Sequence, residues 1–93
     1  MYVVVRKWAN AAALADAMVQ RQQEVTDLIR GVPGFVAYYA VRDGDAVTTV
    51  SVYRNREGAQ ESTRLAREWV KQNLHGAAIA APEVTEGETF IQF

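Results

Sequence analysis

The spacing of apolar and polar positions changes several times along the chain, and each change marks an element. Residues 2–8 are rich in β-branched and aromatic side chains and alternate, Tyr2, Val4 and Trp8 against Val3 and Val5. That predicts a strand whose two faces both begin apolar. The period then lengthens: Leu14, Met18, Val25, Leu28 and Ile29 recur at helical spacing, while Arg21, Gln22, Gln23 and Asp27 fall mostly outside that stripe. Asn10 stands before the alanine-rich start of this helix and is expected to cap it, and Gly31 with Pro33 closes it near Arg30. A second strand follows over 35–42 and a third over 46–54, joined at Asp43-Gly44-Asp45, a pair chemistry that favours a tight hairpin. On the third strand Val50 and Val52 share one face with Ala46, and Thr49, Ser51 and Tyr53 share the other, more polar face with Val47.

Asn55 is a second N-cap candidate, opening a helix through Leu74. Its inward stripe is Ala59, Ser62, Ala66, Trp69, Val70 and Leu74, and Arg64, Glu68 and Lys71 form a solvated side. His75 and Gly76 end it, residues 77–82 form a loop, and residues 84–93 supply a last strand interrupted by Gly87. The order is βαββαβ, which predicts an α+β, ferredoxin-like fold with a four-stranded antiparallel sheet and both helices on one face. The other face is left bare. The second strand offers Phe35, Ala37, Tyr39 and Val41 on one side and Val36, Tyr38 and Ala40 on the other, so neither side suits water. We expect a second copy to cover the bare face, giving a homodimer in the form of a dimeric α+β barrel.

At 93 residues the chain accommodates one domain, 1–93, with a core small enough that burial between subunits would add stability. Ten basic and eleven acidic residues, scattered along the chain, give a net charge of −1 and argue against nucleic acid as a partner. There is no cysteine, hence no disulfide and no thiolate metal site, and a cytoplasmic location is the expectation. No signal peptide is expected, because the charges of Arg6 and Lys7 follow the short apolar run at the N-terminus. No apolar run nears the roughly 20 residues of a membrane span.

Two segments carry a resemblance. Gly31-Val32-Pro33-Gly34-Phe35 before the second strand, and Val50-Ser51-Val52-Tyr53-Arg54-Asn55 leading into the second helix, resemble the antibiotic biosynthesis monooxygenase-like family of dimeric α+β barrels. The resemblance implies cofactor-free oxidation of small aromatic phenols to quinones, with no cofactor, or haem degradation, or a small protein without assigned activity. It also implies that Trp69 lines a cavity between helices and sheet. The quinone-forming members have an asparagine one turn before that tryptophan, where this chain has Leu65, and a tyrosine shortly after it, where this chain has His75. Haem-degrading relatives combine an asparagine at the end of the first strand, the helical tryptophan and a histidine ligand further on. Asn10, Trp69 and His75 are of those types, with His75 sooner after the tryptophan than a haem ligand should be.

Trp69, His75 and Asn10 are thus the catalytic candidates, each with a structural alternative. Trp69 fills the core in that alternative, His75 caps the last carbonyls of its helix, and Asn10 is an N-cap. Tyr38, Tyr39 and Tyr53 are spread over both sheet faces, and at least one is expected to line a cavity or interface. Arg6 and Lys7 interrupt an apolar strand. One of them must meet a carboxylate, solvent or an acidic ligand, because an unpaired buried charge is prohibitively costly. A metal site is not expected, with a single histidine and no clustered carboxylates. No phosphate-binding glycine loop, dinucleotide fingerprint or nucleophile elbow is present. Three readings therefore stand in order: oxidation of a small aromatic or quinol-type compound, non-catalytic binding of a small apolar ligand or another protein, and, last, haem binding or degradation through His75.

Overall fold

A computed structural model of the chain describes residues 1–74 and 79–93. The elements follow in the order β1 (Tyr2–Trp8), α1 (Ala12–Gln20), α2 (Gln22–Arg30), β2 (Phe35–Asp43), β3 (Ala46–Tyr53), α3 (Arg56–Asn73) and β4 (Glu83–Glu88). The strands form one antiparallel sheet in the order β2-β3-β1-β4, the expected ferredoxin-like arrangement. The helix expected over the first half is two helices. Arg21 departs from helical geometry at φ −114° and ψ 33°, although the hydrogen bonds from its N–H to Ala17 and from the Val25 N–H to its carbonyl persist. The break lets α1 lie over β3 while α2 packs on α3 and β2.

Turn and cap chemistry place the rest. Asp43 pairs with Ala46 across a two-residue turn in which Gly44 has φ +58°, a conformation costly for other residues. Asn55 is extended, and its Oδ1 accepts from the Gly58 N–H at 3.0 Å, so α3 starts where its cap dictates. A Cβ on Gly58 would stand 2.8 Å from the Pro33 carbonyl oxygen, and only glycine lets α3 approach that loop so closely. The expected cap at Asn10 does not form. Ala11 occupies the cap position of α1 without a side-chain bond, and Asn10 takes φ 50° in the turn before it. The Ala11 N–H instead donates to Asp45 of the β2–β3 hairpin at 2.6 Å.

Two further expectations are corrected. β4 ends at Glu88, and Phe90, Ile91 and Phe93 stand exposed beyond it rather than continuing the strand. A register shift between Phe35 and Ala37 moves Phe35 off the face of Ala37, Tyr39 and Val41. Phe35 pairs with Tyr53 and meets its ring edge-on, centroids 6.1 Å apart. Where a bulge adds a residue, the two-residue alternation no longer assigns faces correctly across it.

The helices cover the sheet face that carries Tyr2, Val4, Arg6 and Trp8 of β1 and Val47, Thr49, Ser51 and Tyr53 of β3, all buried. Under them the apolar core is divided. One cluster gathers Trp8, Leu14, Val47 and Trp69, the other Tyr2, Val4, Val32, Tyr53 and Ala59. On each element that spans the gap, a polar residue lies between the two clusters: Arg6 on β1, Thr49 and Ser51 on β3, Ser62 on α3. The uncovered face carries Val3, Val5, Val50 and Val52, all half-buried, with Tyr39 at 61% and Val41 at 53% exposure. No described helix is long and apolar enough to cross a membrane.

Candidate functional site

The polar band is built by register. Arg6 pairs with Thr49 and Val4 with Ser51, so the Arg6 side chain rises from β1 between the two β3 hydroxyls toward α3. The residue is only 3% exposed. Nη1 donates to Ser51 Oγ at 3.4 Å, and Nη2 donates to Thr63 Oγ1 on α3. Thr63 receives it because the helix has already used that hydroxyl's proton: both Ser62 and Thr63 donate to the Ala59 carbonyl, at 2.8 and 3.1 Å. Their oxygens therefore turn their lone pairs inward.

The question of Arg6 or Lys7 has a clear outcome. Lys7 is exposed, and Arg6 is buried among hydroxyls, with no carboxylate within 4.0 Å among the described residues. Glu86, on the neighbouring strand, accepts from the Tyr2 hydroxyl at 3.0 Å instead. Burial lowers the Arg6 pKa and Arg67 opposes its charge further, while Tyr38, Tyr53 and Glu86 offset part of the shift. Two more polar atoms in the band, Thr49 Oγ1 and Tyr53 Oη, are buried without a well-formed hydrogen bond among the described residues, Tyr38 lying beside the first and Ser62 beside the second. Buried polar atoms are paired in nearly all native structures, so exceptions gathered at one place call for an explanation.

Beside the band lies a cavity of about 360 Å³ between α3, β1, β4 and the segment before β4. Arg6 and Thr63 line its polar side; Trp8, Ala66, Val70 and Ile79 are among its apolar walls. Arg67 is the second cation on its lining, and no acidic residue is part of that lining. Such a size and balance, mostly apolar with a few convergent polar groups, suit a small organic ligand. Among the described residues no three His, Cys, Asp or Glu side chains gather where they could share a metal ion.

The residues singled out in the sequence fall in different places. Trp69 is buried, but it stands on the other side of Ala66 and Val70 from the cavity, against Leu14, Met18, Leu28 and Tyr38, with a void of about 30 Å³ among them. Its indole N–H donates to Glu24 Oε1 at 2.9 Å. Ala66 and Val70 border both spaces. Tyr53 is fully buried in the polar band, and Tyr38 borders the void. Burial raises the pKa of both phenols, offset in part by Arg6 and Thr49 at Tyr38 and by Ser62 and then Arg6 at Tyr53, so each stays protonated at neutral pH and is a donor rather than a base. Tyr39 faces outward on the uncovered side, and Asn10 is exposed in its turn. His75 lies outside the described residues.

Trp8, Thr49, Ser51, Thr63 and Arg67 are absent from the sequence-based candidates. The signal was the polar face of the third strand, which pairs with the face of the first strand that holds Arg6. No protein-family model matches the chain, and no curated protein sequence does. Solved structures do. A protein of unknown function from Nitrosomonas europaea superposes at TM-score 0.75 with 16% identity, over 99% of this chain and 91% of that one. A putative antibiotic biosynthesis monooxygenase from Chloroflexus aurantiacus matches at TM-score 0.68 with 19% identity, covering 99% of this chain and 95% of the other. A monooxygenase of Streptomyces coelicolor in complex with the ligand Nanaomycin D matches at TM-score 0.72 with 15% identity, over 99% and 89% of the two chains.

The fold is that of the antibiotic biosynthesis monooxygenases. Identities this low carry the architecture and leave the chemistry to the residues themselves. Within the antibiotic biosynthesis monooxygenase fold of this chain, Ala66 and Val70 stand between the charged cavity of about 360 Å³ and the small void beside Trp69.

Proposed function

We propose that this chain is a cofactor-independent oxygenase of a small aromatic or quinol-type compound, bound between α3 and the sheet. The observation that carries the proposal is the buried Arg6 opening on a largely apolar cavity at a place where both neighbouring clusters would otherwise merge into one core. The fold supports it, as does the Streptomyces structure that holds Nanaomycin D in the same architecture. An electron-rich phenol that loses its proton gives an anion able to pass an electron to oxygen. The two radicals combine in a new C–O bond, the peroxide anion takes up the proton lost at the start, and the hydroperoxide gives up its C–H hydrogen with its outer oxygen as water to leave a carbonyl. One oxygen atom enters the product and the other leaves as water. The residues have to bind the anion, orient it and keep water from it.

A face-to-face homodimer belongs to the same proposal. Val3, Val5, Val50, Val52, Tyr39 and Val41 form an apolar surface on the uncovered side, of a kind that second copies commonly cover. One observation favours a second reading, a non-catalytic dimeric module that binds a small ligand: Trp69, the position that resemblance links to oxygenation, does not line the cavity that holds Arg6. Oxygen uptake with a panel of anthrone- and quinol-type compounds separates the two. The oxygenase reading expects uptake by the native protein that Arg6→Met abolishes. Absence of uptake in the native protein, together with ligand binding, establishes the second reading instead.

A further inference from the structure

The cavity under α3 is neither a neutral greasy pocket nor a site for a bare inorganic ion. Its walls are mostly apolar, contributed by Trp8, Val70, Ile79 and Val84 among others, and a desolvated inorganic anion would gain nothing from them. Yet its charged groups have one sign. Arg6 is buried with two hydroxyl acceptors and no carboxylate within 4.0 Å among the described residues, Arg67 stands on the same lining, and Glu86, which accepts from Tyr2, acts on Arg6 only from beyond contact. A guanidinium carries five donors in a planar fork, and two hydroxyls occupy only part of it. A buried cation without a counter-ion is unfavourable until something negative joins it.

We propose that this cavity recognises an organic anion, a carboxylate or phenolate oxygen on an aromatic ring, and that Arg6 is the residue that holds its charge. The inference rests on the reading of the cavity as a ligand site, and it narrows the substrate class to acids. Ser51 and Thr63 fix the guanidinium from the sheet and from the helix, so its remaining N–H groups keep one direction. The aromatic ring lies against the apolar walls. For a phenol, the same cation favours the ionised form and lowers the pKa of the bound hydroxyl, so that its proton passes to solvent water as the phenolate settles on Arg6. Arg67, exposed at the same lining, adds to the field that attracts an anion.

The two tryptophans make the test specific. Trp8 lines the cavity, whereas the Trp69 indole is bonded to Glu24 on the far side of Ala66 and Val70, so the two indole N–H signals in a nitrogen–proton correlation spectrum report different spaces. The signals are assigned with Trp69→Phe, and the protein is titrated with naphthoate and with naphthamide, its neutral counterpart. The expected result is that naphthoate moves the Trp8 signal with an affinity about ten- to a hundredfold above that of the amide, the range for hydrogen bonds to charged groups. Arg6→Met should remove that preference while still binding the amide, which shows that the variant is folded, and Arg6→Lys should keep part of it. Naphthol followed through its own ionisation distinguishes the sources of the oxygen: affinity that rises with pH assigns phenolates to the site along with carboxylates. Equal affinity for naphthoate and naphthamide in the native protein overturns the inference and leaves the cavity as a neutral aromatic site. A Trp8 signal that neither probe moves overturns the cavity reading and the inference with it.

Discussion

The two faces of the sheet differ in what they leave uncompensated: a polar band crosses the apolar core on one, and the other is apolar and open. The covered face buries Arg6, Thr49, Ser51 and Tyr53 under helices, and the uncovered face presents Val3, Val5, Val50 and Val52. Two different costs are therefore carried by one sheet: desolvated polar groups inside, and hydrated apolar groups outside. Each has its own remedy. A ligand with negative charge would offset the first, and a second copy of the chain would offset the second. Neither remedy substitutes for the other, so the faces can be broken independently.

The largest effect is expected on the uncovered face. Val50→Asp places a carboxylate at the centre of that surface, pairing with Val5 on one side and Tyr39 on the other. It should weaken self-association by about 2–4 kcal/mol, the scale of a central interface position. Sedimentation velocity checks this, with a dimer expected for the native chain and a monomer for the variant at the same concentration. A native chain that sediments as a monomer at micromolar concentration would sink the dimer.

On the covered face the sign reverses. Arg6→Met removes a desolvated charge that has no carboxylate within 4.0 Å among the described residues, a gain expected to exceed the loss of two hydrogen bonds to hydroxyls. We expect an increase in stability of about 1 kcal/mol, which for a domain of this size raises the melting temperature by roughly 4–8 °C. A polar group kept at the expense of stability is the mark of a site rather than of a core. Trp69→Phe supplies the contrast within the same face. It deletes a bond from the indole N–H to Glu24 and should lower stability by about 1 kcal/mol, measured by urea unfolding.

The smallest effect belongs to pH. Burial raises the pKa of Tyr38 and of Tyr53 in the folded chain. Below the unfolded phenol value both states are protonated and the contribution to stability is complete. Above it the unfolded chain ionises first, so stability falls as pH rises from about 10 toward the folded values. Urea unfolding at alkaline pH should show a slope that Tyr38→Phe and Tyr53→Phe each reduce.

The order of elements was legible because the local chemistry agrees with it. Asp43-Gly44 turns where the hairpin turns, Asn55 caps where α3 begins, and the stripe from Ala59 to Leu74 faces inward. The break at Arg21 was not legible, since α1 and α2 keep a single apolar stripe across it and no helix breaker marks the place. The capping role assigned to Asn10 fitted its residue type but not its backbone, which turns through positive φ to reach the hairpin. The site was half legible. Alternation groups Thr49, Ser51 and Tyr53 on one face, and Arg6 stands out in its strand, but alternation does not say which face the helices cover. Only the register that sets Arg6 beside Thr49, and the lone pairs that α3 turns inward, make one site of residues from three elements.

The most direct test of the division between the faces is the melting temperature of the native chain and of Arg6→Met, each with and without naphthoate. The account predicts that the variant melts higher than the native chain when no ligand is present, and that naphthoate raises the native melting temperature by more than that of the variant. A variant that melts below the native chain, with naphthoate raising both equally, would contradict it.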